Sequence, residues 1–122
     1  MEDENQIIIE KLTEWGCDIE GAMPRFINNK EFYCQLLREV PEEADFVLLG
    51  EAINSKDLNR SFELAHTLKG MLANMGLKPM FEDSYIIVEK LRSGTFDNVK
   101  ENYDNLMSKK QMLEDILNNI SK

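Results

Sequence analysis

The sequence predicts an all-α protein, organised as an antiparallel four-helix bundle with one or two extra N-terminal helices. No run of residues alternates in the manner of a β-strand, and long stretches consist of the helix formers Leu, Glu, Lys, Met and Ala. Apolar residues recur at helical spacing between short breaks, which favours antiparallel neighbours. We expect one domain over residues 1–122, with an N-terminal helix at 1–15 and the bundle at about 30–120.

In the first part of the chain, local signals mark where helices begin, bend and end. Gly16 is typical of the residue that ends a helix, here the first amphipathic stretch. Asp18 can cap a second, short helix, which Pro24 distorts. Pro41 interrupts the third apolar pattern, so that segment is either one kinked helix or two. These signals predict helices over about residues 5–15, 19–27 and 30–51.

The rest of the chain has signals for three longer helices. Asn54 and Ser55 are the candidate N-caps of the fourth helix, which stops at Gly76. Pro79 suits the first turn of the fifth helix, which a Ser-Gly pair ends, and Thr95 can cap the last helix. The predicted boundaries are about residues 56–75, 79–92 and 96–120.

The charge and the cysteines exclude several classes of function. A net charge of −9 argues against binding to duplex nucleic acid or to an anionic membrane, because both attract basic proteins. Cys17 and Cys34 are the only cysteines, and with a single histidine they do not build a zinc site. We interpret them as reduced thiols.

Targeting signals are missing from the sequence. The N-terminus lacks the basic start and apolar stretch of a signal peptide. The longest apolar runs, such as residues 7–9, are too short to cross a membrane. We therefore expect a cytoplasmic protein.

The only histidine of the chain lies on the polar side of the fourth predicted helix. On a helical wheel of about 100° per residue, His66 is opposite the arc that holds Leu64, Leu68 and Leu72. The wheel therefore predicts that the imidazole faces solvent. Free imidazole has a pKa of about 6.5, so much of it is neutral and nucleophilic at pH 7.

The residues around His66 suit a reacting group. Lys69 is one turn further on, where its ammonium can offset negative charge held on the imidazole. Gly70 and Ala73 keep the same face bare, so that a partner can approach the ring closely. Phe62 offers an apolar anchor one turn before the histidine.

These residues form a recognisable motif. Residues 65–70, Ala-His-Thr-Leu-Lys-Gly, followed by Ala-Asn-Met-Gly at 73–76, resemble the signature of histidine-phosphotransfer (Hpt) domains. Weaker likenesses flank it, among them Arg25-Phe26 and the Glu-Phe-Tyr of residues 31–33. The resemblance covers about residues 16–120 and implies a four-helix bundle that relays phosphoryl groups in multistep two-component phosphorelays.

The resemblance also implies roles and partners. His66 is expected to accept a phosphoryl group from the aspartate of a receiver domain or hybrid sensor kinase, and to pass it to a response regulator. Lys69 is expected to stabilise the phosphoryl group. Partner docking is assigned to Phe62, Glu63, Gly70 and Ala73. No cofactor is expected on this chain, Mg²⁺ is expected on the receiver domain, and the protein is expected to act as a monomeric carrier rather than as an enzyme.

Two alternatives remain at this point. A catalytically inert helical module could bind receiver or kinase domains through the same face without using His66. A metal-binding bundle would use Glu-x-x-His pairs, a spacing that Glu63 and His66 share. With one histidine in the chain, on the outer side of its helix, we assign no metal site.

Overall fold

The computed structural model describes residues 3–119 and confirms the all-α prediction, because those residues form helices and connecting turns only. Two single 3₁₀ turns, Met23–Phe26 and Val40–Glu42, separate some of the helices. The seven α-helices are α1 (Glu4–Trp15), α2 (Ile19–Ala22), α3 (Lys30–Glu39), α4 (Asp45–Asn54), α5 (Leu58–Asn74), α6 (Lys78–Arg92) and α7 (Val99–Asn118).

The first two helices begin where local signals predict, but α2 ends at Ala22 rather than near residue 27. Gly16 ends α1 in the left-handed region at a φ of 105°, a conformation that costs glycine little. The Asp18 carboxylate accepts a hydrogen bond of 3.0 Å from the Gly21 amide and caps α2. Pro24 lies in the first 3₁₀ turn, which confirms the predicted distortion.

Two helices, not one kinked helix, occupy the segment around Pro41. The second 3₁₀ turn begins at Val40 and contains Pro41, so α3 ends at Glu39 and α4 starts at Asp45. Proline has no amide hydrogen and cannot continue an α-helical hydrogen-bond series. α3 packs against α1 and against both 3₁₀ turns.

The bundle consists of α4, α5, α6 and α7. Each helix packs against the next one in the chain, and α7 packs back on α4 and closes the ring. Three-residue connections, 55–57 and 75–77, force α4, α5 and α6 to run antiparallel. Fully buried side chains from each helix fill the centre, among them Leu49, Leu72, Ile87 and Leu106.

Two predicted N-caps are wrong. Asp57, rather than Asn54 or Ser55, caps α5 by accepting a 3.1 Å hydrogen bond from the Arg60 amide. The last helix begins at residue 99 instead of 96, and the Thr95 hydroxyl accepts from the Asp97 amide in the preceding turn. The predicted end of this helix, near residue 120, lies outside the described residues.

The N-terminal helices fix the C-terminal end of α5. The buried Tyr33 hydroxyl donates a 2.6 Å hydrogen bond to the Met75 carbonyl. The Arg25 guanidinium donates to the Asn74 carbonyl at 3.1 Å, and the Asp18 amide donates to the Gly76 carbonyl at 2.8 Å. These bonds satisfy carbonyls that the end of a helix leaves free, and they hold the rest of α5 in place.

Candidate functional site

The imidazole of His66 is exposed near the middle of α5, as the helical wheel predicts. The inward side of this 17-residue helix is buried at Ser61, Ala65, Leu68 and Leu72. Those residues recur every three or four positions, and this spacing turns residue 66 away from the core. The histidine is thus anchored to a rigid helix while its ring is open to solvent.

An aromatic ring and a guanidinium lie on one side of the histidine. The half-buried Phe62 ring has its centroid 5.8 Å from that of the imidazole. The Arg92 guanidinium carbon, from the end of α6, is 5.2 Å from the Phe62 centroid, within cation–π range. Phe62, Glu63, His66 and Thr67 line a shallow depression, which leaves the ring open to a partner.

Lys69 lies on the other side, where its side chain reaches across to α6. Its ammonium nitrogen is 5.7 Å from the centroid of the Tyr85 ring. Tyr85 and its neighbour Ile86 are both exposed, at 48% and 38%. Aromatic contacts with α6 therefore place two cations, Lys69 and Arg92, along the same seam between α5 and α6.

The face beyond His66 is bare. An ideal Cβ built on Gly70 would meet no heavy atom within 4 Å. Ala73, one further turn along, is exposed. A partner can therefore approach the α5 backbone closely over more than one turn.

Comparison with known protein families identifies the family to which the chain belongs. The model of the Hpt domain matches residues 31–120, which span α3 to α7 and include His66. The chain belongs to the Hpt domain family. No curated protein and no solved structure matches the chain. Hpt domains carry phosphoryl groups between proteins in phosphorelays and are not kinases.

The two cysteine thiols of this Hpt domain are buried. Burial raises the pKa of the Cys17 thiol to about 12, and burial also raises the pKa of Cys34. Both thiols are buried and remain protonated near neutral pH, and a protonated thiol is a poor nucleophile. The imidazole of His66 is therefore more accessible than either thiol.

The metal-bundle alternative has no support within residues 3–119. No group of three or more His, Cys, Asp or Glu side chains there is arranged to hold a metal ion. Glu63 is exposed beside His66 on the outer face of α5. No helix of the described part of the chain is both long enough and apolar enough to cross a membrane.

Sequence reasoning missed the contribution of α6 to the site. Tyr85 contacts Lys69, 16 residues before it, and Arg92 contacts Phe62, 30 residues before it, and only the packing of α6 on α5 brings these pairs together. One signal was present in the sequence. Tyr85 and Ile86 are large apolar residues on the outward side of a helix whose inward side is set by Met80, Ile87 and Leu91.

Proposed function

We propose that His66 accepts a phosphoryl group from the aspartyl phosphate of a receiver domain and transfers it to the aspartate of a second receiver domain, that of a response regulator. The observation that carries this proposal is the exposure of the only histidine of the chain on a bare, rigid helix face. Family membership supplies the reaction class.

The chemical step is a displacement at phosphorus. The lone pair of one imidazole nitrogen, Nε2 by resemblance to the family, forms the N–P bond. The P–O bond to the donor aspartate breaks, and the carboxylate leaves with that electron pair. The other ring nitrogen keeps its proton. Transfer onward is the reverse, with the acceptor carboxylate forming the new P–O bond and the imidazole leaving.

Charge is the main obstacle to this step, because both the donor and the phosphoryl group are anionic. Lys69, one turn from His66, supplies positive charge on this face. The Arg92 guanidinium, which lies over Phe62, is paired with the Glu89 carboxylate at 3.2 Å and contributes less. In this proposal Mg²⁺ belongs to the receiver domain. Lys69 stabilises the phosphoryl group on His66.

The docking surface in this proposal is the outer face of α5. Gly70 and Ala73 admit close approach, Phe62 supplies an apolar contact, and Glu63 lies at the edge with a negative charge. A transient signalling contact can be smaller than about 1,200 Å², which suits a carrier that must dissociate between donor and acceptor.

The test is transfer to the isolated chain from a phosphorylated receiver domain freed of its phosphodonor, with Mg²⁺ present. We expect an acid-labile, base-stable phosphoryl group on the chain. It can be assigned at once, since the chain has one histidine. His66→Gln should abolish the label without loss of stability, because residue 66 is exposed.

The outcomes separate the alternatives. Binding to the receiver domain without any label on the wild-type chain would establish the inert interaction module instead. A label that persists in His66→Gln would move the phosphoacceptor to another residue. Lys100→Met removes an exposed cation from α7 and is a control for a surface substitution away from the α5 face. This variant should accept the phosphoryl group like the wild type.

A further inference from the structure

The position of the Lys69 ammonium depends on an aromatic ring rather than on a carboxylate. Its nitrogen lies 5.7 Å from the Tyr85 centroid. Among residues 3–119, no carboxylate oxygen comes within 4.0 Å of it. Lys69 is half-buried, although its neighbour Gly70 leaves open space on the α5 side. The Tyr85 ring from α6 is therefore the contact that the structure shows for this ammonium.

Two lysines of α7 are held by carboxylates, whereas Lys56, in the connection between α4 and α5, also lies over a ring, with its nitrogen 5.1 Å from the Phe96 centroid. Lys109 pairs with the buried Asp83 at 2.8 Å, and Lys110 pairs with Glu114 at 2.6 Å. In each pair a carboxylate cancels the charge of the ammonium. An aromatic face attracts a cation through its quadrupole and carries no net charge, so it orients the ammonium without neutralising it.

This difference matters because of where Lys69 is. Residues three apart on a helix are neighbours, about 5–6 Å between Cβ atoms, so the Lys69 side chain can reach a group held on His66. A free lysine at that position would lose side-chain entropy on contacting a phosphoryl group. A lysine whose ammonium already lies over an aromatic ring loses less side-chain entropy.

We propose that Tyr85 is a positioning residue, whose ring holds the Lys69 ammonium beside His66 with its full charge available to the phosphoryl group. This inference rests on the proposed function of His66. It assigns to α6 a part in phosphotransfer that the α5 motif alone does not contain. The phenol oxygen has no part in it, so the ring is the element that matters.

The first measurement needs no phosphotransfer. Methylene protons that lie over an aromatic ring resonate upfield, so the terminal methylene of Lys69 should be shifted upfield in the NMR spectrum of the wild type, with Lys69→Met used for assignment. The shift should persist in Tyr85→Phe, which keeps the ring, and disappear in Tyr85→Leu, which keeps only the apolar volume. Tyr85 is 48% exposed, so both variants should fold.

The second measurement is a double-mutant cycle on the transfer rate. Tyr85→Leu should slow transfer to His66 by about two- to fivefold, the range expected from losing one exposed cation–π contact. Tyr85→Phe should transfer close to the wild-type rate. In a Lys69→Met background, Tyr85→Leu should have no further effect, because the residue through which it acts is gone.

Each negative result has a different meaning for the two proposals. If the wild type accepts no phosphoryl group, the proposed function fails and this inference falls with it. If the wild type is labelled but Tyr85→Leu leaves the Lys69 signals or the transfer rate unchanged, only the inference is overturned. If Tyr85→Leu slows transfer equally in the Lys69→Met background, Tyr85 contacts the partner directly, and the positioning role is again refuted.

Discussion

Two glycines lie within neighbouring helices of the bundle, Gly50 in α4 and Gly70 in α5, and the surroundings of the two differ completely. A Cβ on Gly50 would lie 2.5 Å from the Tyr103 phenol oxygen. A Cβ on Gly70 would have no heavy atom within 4 Å. One glycine admits a neighbouring helix, while the other leaves a surface open to solvent.

At Gly50 the missing side chain serves packing. It lets the half-buried Tyr103 of α7 lie against α4, where the hydroxyl donates a 2.7 Å hydrogen bond to the Phe46 carbonyl. A mid-helix glycine costs about 1 kcal/mol relative to alanine. At this position the contact between α4 and α7 offsets that cost.

At Gly70 no contact within the described chain offsets the same cost. The glycine is exposed, one turn from His66. A destabilising residue with no packing partner is typical of a surface that serves another molecule, here the face that we propose docks the receiver domain.

The largest expected effect comes from adding a side chain at Gly70, on the exposed face of α5. Gly70→Gln should lower the rate of transfer from a phosphorylated receiver domain at least tenfold, because the new side chain occupies the space through which the partner approaches His66. The variant should be no less stable than the wild type, since glutamine is the better helix former. Ser108→Gln, which places the same side chain on an exposed position of α7, is the control and should transfer normally. Transfer within twofold of wild type in Gly70→Gln would show that this face is not used.

Replacing each of the two glycines by alanine should change the free energy of unfolding in opposite directions. Gly50→Ala gains about 1 kcal/mol of helix propensity but forces Tyr103 away from α4, and overpacking of this kind costs about 1–3 kcal/mol, so we expect a net loss of up to about 2 kcal/mol. Gly70→Ala should gain up to about 1 kcal/mol. Urea-induced unfolding of the two variants measures both values. If both variants changed the free energy of unfolding in the same direction, the proposed difference between Gly50 and Gly70 would be contradicted.

The smallest expected effect concerns the Tyr103 hydroxyl and pH. Tyr103→Phe should cost about 1 kcal/mol at neutral pH, the usual value of one hydrogen bond. Burial, with smaller effects from Asp104 and Glu51, raises the pKa of Tyr103 above its ordinary value. The unfolded chain therefore loses this proton first, and the contribution of Tyr103 to stability is full below about pH 10 and declines above it.

This pH effect can be isolated by difference. Cys17 and Tyr33, whose pKa values are also raised by burial, are shared by the wild type and by Tyr103→Phe. The gap in unfolding free energy between the two proteins should therefore shrink as the pH rises above about 10. A gap that stays constant would show that the hydroxyl does not lose its hydrogen bond on titration.

Local patterns predicted much of the fold and part of the site. The exposure of His66 follows from helical spacing, since buried residues every third or fourth position leave the opposite side to solvent. Gly16 and Asp18 act within their own helices, so their roles could be predicted too. The cap of α5 was misassigned because Asn54, Ser55 and Asp57 are all good capping residues, and where α4 ends decides among them.

The sequence by itself determined the helical class, the positions of most breaks and the side of α5 on which His66 lies. These depend on interactions between residues a few positions apart, which a linear pattern records. Only helix packing puts Tyr103 where a Cβ on Gly50 would lie, leaves the corresponding space at Gly70 open, and brings Tyr85 and Arg92 of α6 against α5. Those contacts join residues 16 or more positions apart, and they exist only once helices pack, because no local propensity encodes which faces of two helices meet.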